Sequence, residues 1–96
     1  MDVRLSGKAR SDLLDAYRYF AERNSHVADR FVSEVDLRFR QLSDFPHLGR
    51  ERAEFGPDLR SARVMTFLII YAIRPTHIDI VRVIDGRMDV HEELRQ

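Results

Sequence analysis

Apolar residues recur at helical spacing through the first half of the chain and form two stripes. The first belongs to a helix that starts near Gly7 and stops at Asn24, and the second to a helix that Ser25 can cap and Pro46 ends. The stripes are Ala9, Leu13, Ala16, Tyr17 and Phe20, then Ala28, Phe31, Val32, Val35, Phe39 and Leu42. Because so few residues separate the two helices, the pattern predicts an antiparallel helix hairpin.

Apolar runs on either side of this hairpin predict strands. Val3 and Leu5 alternate with polar neighbours, which favours a short opening strand that ends at Ser6, a good N-cap for the first helix. Three later segments are rich in β-branched and aromatic residues and are separated by turn signals: residues 59–64, 66–74 and 78–84. The predicted fold is α+β: an N-terminal strand, an antiparallel helix hairpin and then a three-stranded antiparallel sheet.

The middle strand of this sheet is apolar on both faces. Its alternating sets are Phe67, Ile69, Tyr71 and Ile73 on one face, and Leu68, Ile70 and Ala72 on the other. Such a strand is typical of a sheet centre that is covered on both sides. We expect the hairpin to cover one face and something else, for example a partner protein, to cover the other. Tyr71 is expected to bury its ring and to give its hydroxyl a polar partner.

Two segments carry weaker signals. Residues 46–58 contain two prolines and two glycines, which predicts a connection without regular structure that either binds a partner or packs over the core. Residues 90–96 are long enough for only a short helical turn. Asp89, just before them, can cap that turn or pair with Arg87 or Arg82.

Length and composition indicate one domain, residues 1–96, because two domains would leave neither half a sufficient core. With 44% hydrophobic and 33% charged residues, the chain has the composition of a globular protein. It has no cysteine and no apolar run near the roughly 18 residues of a membrane helix, so we expect a cytoplasmic protein without membrane association. The histidines show no ligand spacing, and we expect neither a metal nor a cofactor.

The charges cancel, since sixteen basic residues face sixteen acidic ones. This balance argues against binding nucleic acid through a general positive field. Fifteen of the basic residues are arginine, with Lys8 the one lysine. Guanidinium groups suit carboxylates, phosphates and protein interfaces, although a GC-rich genome would produce the same bias.

The order and spacing of many short motifs resemble a ParE-type toxin of the RelE/ParE superfamily of type II toxin-antitoxin systems. These motifs are Leu5-Ser6, the group Tyr17, Tyr19 and Phe20, Phe45-Pro46, Leu48-Gly49-Arg50, Gly56, Leu59-Arg60, Leu68-Ile69-Ile70-Tyr71, Ile80-Val81-Arg82-Val83-Ile84, Gly86-Arg87 and Asp89. The resemblance covers nearly the whole chain. It implies the RelE/ParE-like fold and a cognate antitoxin, ParD-like or similar, that wraps the toxin.

The resemblance also implies two possible targets. ParE-type members poison DNA gyrase, whereas RelE-type members of the same fold cut mRNA at the ribosome. A nuclease needs cationic groups for the scissile phosphate and a group that moves protons. The candidates for that chemistry are Arg63, Arg82, Arg87 and His91, with Arg60 as a further cation.

Balanced charge and a single lysine favour binding over cleavage, so we expect a protein-binding toxin with no catalytic residues and no sequence-specific nucleic-acid binding of its own. The alternatives are a ribosome-dependent mRNA endonuclease and a non-toxic interaction module that keeps the fold. We expect the antitoxin to lie along residues 59–73 and against the helix hairpin. The expected partner-binding residues are Arg60, Arg63, Phe67, Ile69, Tyr71, Arg82 and Arg87.

Overall fold

Two long helices pack on one face of a five-stranded sheet. In the computed structural model, which describes residues 1–96, the helices are α1 (Gly7–Arg23), α2 (Ser25–Asp44) and a short α3 (Val90–Leu94). The strands are β1 (Asp2–Leu5), β2 (Arg50–Glu51), β3 (Leu59–Val64), β4 (Phe67–Ile73) and β5 (His77–Asp85), and a 3-10 turn spans Pro46–Leu48. None of the helices combines the length and the apolar character that crossing a membrane would require.

The sheet has the order β1-β5-β4-β3-β2, which confirms the α+β prediction and extends it. Strands β3, β4 and β5 are antiparallel neighbours, as predicted. The opening strand β1 joins them parallel to β5, with Val3 opposite Ile78. Strand β2 pairs with β3 inside the segment that we expected to lack regular structure. That prediction was wrong there because the two residues of β2 carry no apolar alternation and are held by the edge of β3.

Side-chain caps define the hairpin. The Ser6 hydroxyl accepts from the Ala9 backbone N–H at 3.0 Å and starts α1, as predicted. Asn24 both ends α1, by donating its backbone N–H to the Phe20 carbonyl oxygen, and caps α2, by accepting from the N–H of His26 and Val27. The prediction that Ser25 caps α2 was wrong, since Ser25 is its first helical residue.

Each face of β4 packs into its own apolar cluster. On the helix side Phe67, Ile69 and Tyr71 join Phe31 and Leu42 in the main core. On the opposite side Leu68, Ile70 and Ile84 form a second cluster with Val90 of α3, and half-buried Phe55, Leu59 and Leu94 pack against it. The second face is therefore covered by the chain's own loop and C-terminal helix, where the sequence had suggested a partner protein. Contacts between segments so far apart leave no trace in local periodicity.

Candidate functional site

Arg82 of β5 is joined to Asp12 of α1 by a bidentate ion pair. Its Nε and Nη2 donate to the two carboxylate oxygens at 2.7 and 3.0 Å, and its Nη1 donates to the Glu93 carbonyl oxygen at 2.7 Å. Asp12 also accepts from the backbone N–H of Val83 at 2.9 Å. The hydrogen bonds from Arg82 to Asp12 raise the pKa of the guanidinium above its usual value. Arg82 thus links α1, β5 and α3 and is committed within the chain.

Arg87 follows β5 in a turn and is paired with Asp85. Its Nη2 and Nε donate to the carboxylate at 2.6 and 3.0 Å, and its backbone N–H donates at 3.0 Å. The side-chain hydrogen bond from Arg87 lowers the pKa of Asp85, with smaller help from the Arg87 backbone and Thr66. The Arg87 side chain is 67% exposed and that of Asp85 15%. The Arg87 guanidinium is therefore exposed to solvent, but it already binds the Asp85 carboxylate.

Both pairs line one groove of about 360 Å³ between α1, the end of β5 and the turn before α3, which we call the α1–β5 groove. Four acidic residues, Asp12, Asp15, Asp85 and Glu93, and two basic ones, Arg82 and Arg87, lie in its lining. Four negative and two positive charges leave a balance of minus two. An excess of negative charge repels a phosphate, so this groove is poorly suited to hold a scissile RNA backbone.

The four candidate nuclease residues are not brought together. Arg82 and Arg87 share the α1–β5 groove, but Arg63 lies on β3 beside a separate pocket of about 130 Å³ against α2. His91 is exposed on α3, where its ring meets Phe55 edge to face at 5.4 Å between centroids. His91 therefore packs against the loop that covers the second cluster. Asp89 accepts from the Glu92 N–H at 3.2 Å and caps α3, which confirms the capping interpretation.

Arg60 and Tyr71 hold the segment after α2. The Tyr71 hydroxyl donates to the Pro46 carbonyl oxygen at 2.7 Å and accepts from the Gly49 N–H at 2.8 Å, and Arg60 donates to the Gly49 carbonyl oxygen at 2.6 Å. Burial raises the pKa of Tyr71, against smaller opposing effects from Gly49 and Arg60. The prediction of a buried ring with a bonded hydroxyl is confirmed. These bonds fix a loop from which Phe45 projects 67% exposed.

The expected partner-binding residues divide into three kinds. Phe67, Ile69 and Tyr71 are at most 9% exposed and lie under the helices, so a partner reaches them only if the core opens. Their pattern predicted an apolar face but not which element covers it. Arg60 and Arg82 are bonded internally. Arg63 and Arg87 are the two residues of this set that are exposed. Arg60 and Arg63 point to opposite faces of β3, because Arg60 lies opposite Tyr71 and Arg63 opposite Leu68.

A second groove, of about 280 Å³, runs between α1 and α2, and we call it the hairpin groove. Six of its seven lining residues are hydrophobic, among them Leu13, Tyr17, Val32 and Phe39. Tyr17 and Val32, which the sequence placed in the buried stripes, are 40% and 49% exposed. The apolar stripes are thus wider than the sheet beneath them can cover, and their outer margin forms this groove.

Sequence reasoning missed Asp12 and Phe55. Asp12 lies outside the apolar stripe of α1 and is not among the predicted site residues, yet it anchors Arg82 seventy positions later. No local signal marks an ion pair of that separation. Phe55 offered a weak signal, since it is a large aromatic residue inside a segment of turn formers, and in the structure it packs on the second cluster.

A strand, a helix hairpin and a mostly antiparallel sheet define a small α+β domain. The sequence model of the family described as ParE toxin of type II toxin-antitoxin system, parDE, matches residues 3–90, and the chain belongs to this family.

The chain is similar to known proteins of toxin-antitoxin systems. Toxin ParE3 of Caulobacter vibrioides is 33% identical over 84 residues, which cover 86% of this chain and 84% of that protein. A chain of the chromosomal ParDE TA system from P. aeruginosa shares the fold, with a TM-score of 0.75, 19% identity, and coverage of 88% of this chain and 95% of that chain.

Proposed function

We propose that this ParE-type toxin arrests growth by binding and inhibiting DNA gyrase in the cytoplasm, and that a cognate antitoxin neutralises it. Family membership supports the toxin class. The choice of protein binding over RNA cleavage rests on the ion pairs of the α1–β5 groove. Arg82 and Arg87, the two candidate cations for a scissile phosphate that share a groove, already hold Asp12 and Asp85.

A phosphate would have to compete with Asp12 for Arg82. To bind a phosphate, Arg82 would leave a carboxylate that is 16% exposed, and the abandoned Asp12 would lie nearly buried without its cation. Breaking such a pair costs about 3–5 kcal/mol, more than a phosphate contact of one guanidinium returns. Protein recognition requires no such exchange, because surface grooves and exposed apolar side chains are sufficient for it.

We place the antitoxin on the hairpin groove. Its apolar lining, with Tyr17 and Val32 open to solvent, suits the apolar face of an amphipathic segment. The similar fold in the ParDE TA system supports an antitoxin partner. We also expected the antitoxin to lie along residues 59–73. Because this chain covers both faces of β4, we restrict that contact to the exposed edge of the sheet and to Arg63.

Induction of the chain alone in bacteria tests this proposal. Growth and a DNA-damage reporter are followed together, while purified protein is added to a gyrase supercoiling reaction and to a translation reaction with labelled mRNA. We expect arrest, an active reporter, inhibited supercoiling and intact mRNA, with growth restored by the antitoxin.

Arg63→Ala and His91→Ala separate the two activities, because both residues are candidates for RNA cleavage. Both side chains are exposed and neither takes part in an ion pair of the fold. We expect both variants to remain toxic. Arrest with a silent reporter and cut mRNA, lost in these variants, would instead establish the nuclease. Unimpeded growth together with tight antitoxin binding would establish the non-toxic interaction module.

A further inference from the structure

We infer that the α1–β5 groove is the surface through which this toxin engages the protein that it acts on, and that it accepts a segment with a lysine or arginine beside a large apolar side chain. The inference rests on the proposed function, since it assumes a protein target. It adds a location on the toxin and the chemistry of the target segment.

The groove has an apolar part that can bury a side chain of a partner. Tyr19 and Met88 are 50% and 53% exposed at its walls. Phe20 and Phe67 lie deeper, with ring centroids 6.0 Å apart. An aromatic ring and a flexible thioether over an aromatic floor form a place where one large apolar side chain of a partner can be buried, the usual centre of a protein interface.

The charges of the groove favour a basic partner. Within the groove, Asp12 and Asp85 hold arginines of the chain, whereas Asp15 and Glu93 are in no ion pair. This excess of two negative charges over positive ones beside an apolar site favours a basic side chain and repels an acidic one. This complementarity selects a basic, apolar segment over the acidic or purely apolar alternatives.

The walls of the groove are held by ion pairs and hydrogen bonds. Arg82 bonds α1 through Asp12 and α3 through the Glu93 carbonyl oxygen, and Arg87 is held on Asp85. The walls are thus fixed before a partner arrives, which reduces the entropy lost on binding.

The position on α1 separates the groove from the antitoxin surface that we propose. Tyr17 lines the hairpin groove and Tyr19 the α1–β5 groove. Two residues along a helix turn the side chain by about 200°, so Tyr17 and Tyr19 point to nearly opposite sides of α1 and the two grooves open on different faces of this helix. A toxin with two protein partners can therefore present one surface to each.

The test compares Asp15→Lys and Met88→Ala with the control Asp44→Lys. Asp44→Lys makes the same charge change as Asp15→Lys at an exposed position of α2 that has no ion pair and no place in either groove. Gyrase inhibition, growth arrest, antitoxin affinity and Tm are measured for each purified or expressed variant. We expect Asp15→Lys to weaken gyrase inhibition at least tenfold and Met88→Ala several-fold. Asp44→Lys should match the wild type, and all three should keep antitoxin affinity within about twofold.

Three results would overturn the inference. One is that Asp15→Lys and Met88→Ala inhibit gyrase and arrest growth as the wild type does. Another is that they lose antitoxin binding, which would assign the groove to the antitoxin. A loss equal in Asp44→Lys would reduce the effect to net charge. If the wild type arrests growth without inhibiting gyrase, the proposed target fails, but the effect of the variants on arrest still decides whether the groove is used.

Discussion

Arg82 and Asp12 lie seventy positions apart in the chain and meet in a bidentate ion pair with N–O distances of 2.7 and 3.0 Å. Their side chains are only 10% and 16% exposed. The pair also covers the part of the β5 edge that does not pair with β1, because Asp12 accepts from the Val83 N–H. It is at once part of the fold and the wall of the α1–β5 groove.

Asp12→Ala should therefore destabilise the protein by about 3 kcal/mol or more, since it leaves Arg82 nearly buried without a counter-charge. Denaturant unfolding measures this free energy. Asp36→Ala is the matched control, because Asp36 pairs with Arg40 where both side chains are about 70% exposed, and such a pair contributes about 0–1 kcal/mol. Equal costs for the two variants would refute the role assigned to Asp12.

Tyr71→Phe should cost about 1–3 kcal/mol, because it removes the hydroxyl that bonds Pro46 and Gly49 in a buried site. Gly49→Ala should cost more, since an added Cβ would lie 2.6 Å from the Tyr71 ring and 2.7 Å from the Ser61 carbonyl oxygen. Thermal unfolding compares both with Tyr17→Phe, whose ring is exposed. A Gly49→Ala variant as stable as the wild type would contradict the close packing of this loop.

The raised pKa of Tyr71 has a consequence in alkali. The unfolded chain ionises this tyrosine near pH 10, whereas the folded chain keeps it neutral to higher pH. The stabilisation is complete below the unfolded pKa and is lost as pH rises through the folded value. Unfolding free energies measured from pH 8 to 11 should fall more steeply for the wild type than for Tyr71→Phe. Parallel curves for the two proteins would exclude this contribution.

Arg87→Gln should raise the pKa of Asp85 towards its usual value, because the hydrogen bond from Arg87 is the main cause of the lowering. A lowered pKa contributes stability that is present above the unfolded value, near pH 4, and is lost as pH falls through the folded value. The variant should thus be less stable than the wild type at pH 7, but only slightly, because the Arg87 side chain is exposed. The difference should vanish near pH 2. NMR titration of the Asp85 carboxyl checks the shift itself, and an unchanged titration would exclude its cause.

Asp89→Ala should cost about 1 kcal/mol, because it removes the cap of α3. Since Val90 covers Leu68 and Ile70, a frayed α3 should also expose the second cluster. Faster amide exchange in residues 90–94 and increased binding of an apolar dye are the expected signals. Dye binding unchanged by the substitution would mean that α3 is held without the cap, by the hydrogen bond from Arg82 to the Glu93 carbonyl oxygen and by that from Lys8 to the Gln96 carbonyl oxygen just after the helix.

Much of the fold was predictable from local patterns. The stripes of Ala9 and Phe31 predicted helices, the alternation around Tyr71 predicted a central strand, and Ser6 and Asp89 were recognised as caps. Each depends on neighbours within four residues, where backbone sterics and side-chain spacing determine the outcome. Strand β2 and the cap at Asn24 were not predicted, because a short edge strand and a short junction between helices have little periodicity.

The sequence by itself determined the class of fold, the family resemblance and the presence of arginines on the later strands. Only the tertiary structure decided which face of β4 the helices cover, that Phe55 and Val90 cover the other, and that Arg82 and Arg87 are paired with Asp12 and Asp85. The physical reason is range. Periodicity records interactions along one element, whereas burial and ion pairing depend on segments that meet only when the chain is folded.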